Sequence, residues 1–198
     1  DEKFSKGRDF YALRLNTKSD NLQYGYLGTY VDKPLTDESA QVNSIDFLYL
    51  PSEIHRMDGN FMHSKVKDKD GFGLTAGYGY TPSKNFYSGI GIKYYDERLD
   101  LNDMGYLILN DRFMLNGRTQ FKRTTFQEGS VLRSRLFEIG YGSKFNVDSE
   151  RESSNFALKL ENNFVNLSEI KAEVFYRSTG RNTRICLLYT SPSPRDTP

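Results

Sequence analysis

Strict two-residue alternation through residues 71–81, and again through residues 86–95, constrains this chain more than any other feature. In the first stretch Phe72, Leu74, Ala76, Tyr78 and Tyr80 fall on one face, and Gly73, Thr75, Gly77, Gly79 and Thr81 on the other. Successive strand side chains point to opposite faces, so this is a strand with one bulky apolar face and one small, polar face. Pro82, Ser83, Lys84 and Asn85 then supply turn chemistry. The return stretch sets Phe86, Ile90, Ile92 and Tyr94 against Tyr87, Gly89, Gly91, Lys93 and Tyr95. A soluble sandwich turns its bulky face to a core and its charges to water. A barrel in a membrane inverts this, with bulky groups facing lipid and small or polar groups facing the lumen.

The alternation recurs along the chain. Strands are expected at residues 8–17, 23–32, 42–50 and 61–67 before the central hairpin, and at 112–124, 131–147, 154–164 and 169–179 after it. Asp58-Gly59 reads as a strong turn pair that closes a connection over residues 51–60, and residues 68–71 read as a tight turn. Mostly short polar connections mean hairpin topology. The fold expected is all-β: an antiparallel up-and-down transmembrane β-barrel, incomplete, with about ten strands of a larger barrel. Counting strands alternately puts the connections at 18–22, 51–60, 82–85, 125–130 and 165–168 on one rim. Those at 33–41, 68–70, 96–111 and 148–153 fall on the other, which is expected to face outward. Arg133 and Arg135 fall on the apolar face near a strand start, where long cationic side chains reach headgroups by snorkelling. A soluble antiparallel sheet with one solvated face is the rival.

Composition narrows the function classes. Hydrophobic residues make up 37% of the 198 positions. No run of roughly twenty apolar residues exists, so a helical membrane span is out. Aromatics are 14 Tyr and 14 Phe with no Trp, a load that suits strands and membrane interfaces. The net charge of +1 gives no global electrostatic case for nucleic acid as a partner. The single cysteine, Cys186, can build neither a disulfide framework nor a cysteine metal site.

Cys186 also opens a separate segment. Residues 186–196, CLLYTSPSPRD, resemble one reading frame of the transposon-end adaptor used in sequencing-library preparation. Two parts are therefore expected: residues 1–185, a partial outer-membrane β-barrel, and residues 186–198, a non-native, disordered tail. On this expectation the body is a fragment whose first and last strands do not pair with each other.

Candidate chemistry is sparse. Ser52, Glu53 and His55 are close in sequence, but a nucleophile triad needs geometry that adjacency does not supply. His55 and His63 with Asp58 match no zinc spacing. Asp96, Glu97, Asp100 and Asp103 form the best polar constellation, hard oxygen donors that suit calcium but lack the regular loop spacing. A solvated loop is the plainer role. The glycines recur at period two within strands with no helix after them, so a dinucleotide loop fails. Room inside a barrel is the better account. No catalytic, cofactor or metal residue is assigned, and no cofactor is expected.

The stretch 94–112, YYDERLDLNDMGYLILNDR, resembles a segment of a family of bacterial envelope proteins. In that family a carbohydrate-binding-like β-sandwich precedes a large C-terminal outer-membrane β-barrel. The specific elements are Asn102-Asp103-Met104-Gly105-Tyr106-Leu107 and Asn110-Asp111-Arg112, with Tyr106 and Leu109 departing from the commoner Phe and basic residue. The resemblance implies location and architecture: the outer membrane of a Gram-negative bacterium, with the lipid bilayer as partner. It also implies a glycan ligand through an N-terminal domain that is not in this chain. The function expected is envelope transport or surface binding without catalysis in this segment. The rivals are a soluble β-rich interaction module and the barrel part of an outer-membrane hydrolase.

Overall fold

A computed structural model describes residues 7–34, 36–103, 107 and 110–180. The tail from Cys186 and part of the 102–109 motif lie outside the described residues. Ten strands follow one another in sequence: β1 Asp9–Lys18, β2 Leu22–Lys33, β3 Glu38–Ser52, β4 His55–Val66, β5 Lys69–Ser83, β6 Phe86–Tyr95, β7 Arg112–Arg123, β8 Leu132–Phe145, β9 Arg151–Phe164 and β10 Glu169–Arg177. They form one sheet in chain order, every neighbour antiparallel. The up-and-down all-β expectation holds, and the sheet is not closed. The pairing of β1 is with β2 and that of β10 is with β9, so the first and last strands are its two edges.

Register decides which side chains share a face. Opposed pairs run Leu15–Tyr26, Tyr26–Ile45, Ile45–Phe61, Phe61–Leu74 and Leu74–Tyr94. The same row continues through Tyr94–Phe113 and Phe113–Phe145. One face is therefore mostly apolar and aromatic from β1 to β8, and Tyr141–Phe156 and Phe156–Tyr176 carry it onto β9 and β10. The opposite face carries Arg14, Asp46, Asn60, Lys93, Asn116, Arg118 and Lys159, interspersed with glycines. A directly opposed step on that face pairs Gly77 with Gly91 and Gly79 with Gly89.

Several boundaries differ from the sequence reading. The 51–60 connection is a two-residue turn at 53–54, because β3 runs to Ser52 and β4 starts at His55. Pro51 sits where the β3–β4 register shifts, and Pro82 where the β5–β6 register shifts. A bulge leaves a residue out of the ladder, which is where a strand tolerates proline. Asp58-Gly59 is strand, not turn. A Cβ on Gly59 would lie 2.5 Å from Cε1 of Phe47, so the glycine is a socket for that ring. The 68–71 turn is likewise shorter: residues 67 and 68 make it, with Lys67 at a φ of 55°. Strand β9 absorbs Arg151, Glu152 and Ser153 from the expected charged loop.

Hardly any core lies between these faces. Among the described residues the buried hydrophobic side chains are Val31, Ala40 and Leu99. Ile45, Leu74, Ile90, Phe137 and Phe156 remain exposed in mid-sheet. What stabilises the fold locally is the ladder itself together with cross-strand side-chain pairs, each worth roughly 0.2–1 kcal/mol. Phe86 and Phe121 meet edge-on with ring centroids 4.9 Å apart.

Candidate functional site

Two of the three buried apolar residues, Val31 and Ala40, oppose each other on β2 and β3, and the third, Leu99, comes from the segment after β6. After β6 the chain does not run out into solvent. Asp96 N–H donates to the Phe72 carbonyl at 2.9 Å, and Leu99 N–H donates back to the Asp96 carbonyl at 3.2 Å. The segment then crosses the polar face of the preceding strands. Leu99, 1% exposed, lies against Gly71 and Gly73 of β5 and near Met62 of β4. A Cβ on Gly71 would run into the backbone of Arg98 and Leu99, and one on Gly73 would lie 2.8 Å from the Leu99 side chain. Glycine is required here by close approach.

Hydrogen bonds hold the crossing. Ser64, fully buried on β4, accepts the Asp100 N–H through its hydroxyl at 3.0 Å. Asp103 reaches β2, where both its oxygens take the Lys33 ammonium, at 2.7 and 2.9 Å, with both side chains mostly buried. Arg8 adds a looser contact to Asp103 at 3.9 Å. Asn110 Nδ2 donates to the Glu97 carbonyl at 2.6 Å and closes the base of the segment. The result is a strap over the polar face of β2–β5. A hollow of about 800 Å³ opens beside it, lined by Val66 to Lys69 on one side and Glu97 to Asp100, Asn102, Leu107 and Asn110 on the other.

The acidic constellation is thus pulled apart by its own structure. Asp96 accepts the Arg98 N–H at 2.6 Å, and Asp100 accepts the Asn102 N–H at 3.0 Å. Asp103 faces Lys33, and Glu97 faces its neighbour Arg98 at 3.5 Å. Among the described residues no group of three or more His, Cys, Asp or Glu is arranged to hold a metal ion. The carboxylates act one by one as turn acceptors and ion-pair partners.

The histidines go to the apolar face. His55 stacks between Tyr78 and Tyr80 at centroid distances of 5.8 and 5.1 Å, and its Nδ1 lies 2.7 Å from the Tyr78 hydroxyl. His63 rests on Phe72 at 5.0 Å, with Nε2 3.0 Å from Asp70. Asp58 belongs to the opposite face, ion-paired with Arg56 at 3.0 Å, so the imagined His-His-Asp set is not assembled. Ser52 pairs in register with His55 across the turn, but the His55 ring bonds to Tyr78.

Beyond the strap the polar face is open. Gly77, Gly79, Gly89 and Gly91 floor a second hollow of about 400 Å³, walled by Arg56 and Asp58 on β4 and by Asn116 and Arg118 on β7. Tyr87 lies flat across Gly89, and the Arg118 guanidinium carbon sits 5.4 Å from the Tyr87 ring centroid.

Comparison with protein-family models, with curated proteins and with solved structures finds no match. The chemistry that can be assigned is what these two zones show. One polar zone is covered and braced, the other is open and lined by two arginines, a carboxylate, an amide and glycine backbone. Among the described residues neither presents a nucleophile beside a base. The sequence reading missed the strap; the signal it passed over is the pair of leucines, Leu99 and Leu101, set among the acidic residues.

Proposed function

We propose that this chain is a wall segment of an outer-membrane β-barrel, of the kind the 94–112 resemblance implies, acting in envelope transport or surface binding. One observation carries this: an exposed, mostly apolar and aromatic face, followed in register from β1 to β8 and continued by Phe156 on β9 and Tyr176 on β10. Leu15 is 57% exposed, Ile45 57% and Ile90 53%. A contiguous apolar surface of this extent is not left in water by a soluble monomer. On β5 the face runs from Phe72 to Tyr80. At ~3.4 Å per residue and a tilt near 40° that spans about 20 Å of bilayer, close to the ~25 Å band of outer-membrane barrels.

The polar face then lines the lumen, and the strap lies inside it. Lipid cannot satisfy the free backbone groups of β1 and β10, so further strands close the wall there. Orientation follows from the corrected turns. The rim with residues 19–21, 53–54 and 84–85 faces the periplasm, and the rim of residues 96–111 faces outward. Covering the apolar face with a protein partner is the competing account, a soluble interaction module. Expression behind a secretion signal and fractionation separates them. The proposal expects recovery with outer membranes, released by detergent and not by high salt or alkaline carbonate. Recovery in the soluble periplasm contradicts it.

A further inference from the structure

Arg123 and Arg135 stand directly opposite each other across β7 and β8, on the apolar face. They occupy the row just beyond Phe121 and Phe137, at the short-turn rim. Like charges placed opposite each other destabilise a sheet. Several other arginines of the sheet face carboxylates: Arg14 with Asp46, Arg56 with Asp58, Arg112 with Glu152. Here no carboxylate among the described residues meets either guanidinium. Arg135 donates through Nε to Asn162 Oδ1 at 2.7 Å. Arg123 donates through Nε to the Thr125 carbonyl at 3.0 Å and lies 5.0 Å from the Phe126 ring centroid. Each guanidinium is fixed by its inner nitrogen, and its terminal nitrogens are left unbonded among the described residues. Between the two strands is a hollow of about 340 Å³, bordered also by Asn85 and Lys122.

We propose that this pair is a headgroup site for an anionic phospholipid, whose phosphate bridges Arg123 and Arg135 while an acyl chain lies along Phe121 and Phe137. The inference rests on the membrane placement above. A tetrahedral oxyanion accepts paired N–H bonds from a guanidinium fork. Its charge removes the repulsion that the bare pair carries. The adjoining aromatic row distinguishes a lipid from free phosphate. The periplasmic rim selects the phospholipid leaflet.

The test uses the 198-residue chain refolded in non-ionic detergent micelles and titrated with phosphatidylglycerol, with retained lipid counted by native mass spectrometry. The wild type is expected to retain the lipid. The double variant R123Q/R135Q is expected to bind about thirtyfold more weakly, at roughly 1 kcal/mol for each of the two cations removed. R118Q, on the polar face, is expected to match the wild type. R123K/R135K keeps the charge without the fork and should fall between. Matching β-sheet circular dichroism establishes that each variant is folded. Equal retention by the wild type and R123Q/R135Q overturns the site. So does displacement of the lipid by low concentrations of inorganic phosphate, or a preference for lipid A over phosphatidylglycerol. A chain that stays outside micelles and remains soluble refutes the membrane placement itself, a result visible before any lipid is added.

Discussion

The polar face of β2–β5 and that of β6–β9 are built from the same kinds of residue, yet they are organised differently. The first is roofed by the strap. Gly71 and Gly73 are sockets for it, its serine is buried, and its lysine is bidentate on a carboxylate from the loop. The second is bare. The closest contacts of its glycines are flexible side chains, the Tyr87 hydroxyl at Gly89 and the Asn155 amide at Gly142, and Arg118 has a tyrosine ring beside it. Composition alone does not set what a strand face does. A strand glycine tolerates least where another backbone comes down on it, as at Gly71.

That contrast is sharpest in paired substitutions. Gly71→Ala places a methyl group on the backbone of Arg98 and Leu99, whereas Gly140→Ala meets only the Ala157 methyl at 3.7 Å. The expected losses are about 3 kcal/mol for the first, from overpacking, and within ~0.5 kcal/mol for the second. Urea unfolding in lipid vesicles measures both, and equal effects would erase the distinction between the halves. Next in size is Leu99→Ala, expected to cost about 2 kcal/mol through its lost burial. It should speed hydrogen exchange at the Leu99 and Asp100 amides while leaving β7–β9 unchanged. Uniform acceleration along the sheet would mean that Leu99 supports the whole fold and not the strap alone.

The Lys33–Asp103 pair is predicted to matter less. Asp103→Asn removes a charge-assisted contact and should cost about 1.5 kcal/mol. The same loss appears as faster strap exchange, with no further effect when Lys33→Met is added to it. Additive losses would show that the two side chains act separately. The smallest effect belongs to the bare half. Leu167 holds a φ of 67° in the 165–168 turn and is 80% exposed. Leu167→Gly should stabilise by ~0.5–1 kcal/mol, since the left-handed conformation costs a non-glycine residue roughly 1–2 kcal/mol and the greater unfolded-state entropy of glycine offsets part of that. A loss of stability would mean that the leucine side chain has a partner.

Much of the sheet was legible because its signal is local. Alternation at Phe72 to Tyr80 or at Phe156 to Leu160 needs no partner to be read, and it placed every strand. Ends were misread where a local rule met a tertiary exception. Pro51 and Asp58-Gly59 carry turn chemistry, but a bulge absorbs the proline and the Phe47 ring occupies the glycine. The strap was illegible for a deeper reason. Its contacts join residues far apart in the chain, such as Lys33 with Asp103 and Ser64 with Asp100, and no period records them. The candidate carboxylates looked like a cluster in sequence, and hydrogen bonds to separate partners disperse them.

The central claim is that the apolar face meets lipid. The chain has no tryptophan, so one introduced indole reports one position. Ile90→Trp probes the apolar face, and Asn116→Trp probes the polar face of the adjoining strand. In vesicles of brominated phosphatidylcholine, Ile90→Trp fluorescence should be strongly quenched and Asn116→Trp barely, with aqueous acrylamide giving the reverse order. Quenching of Ile90→Trp by acrylamide and not by brominated lipid would contradict the account.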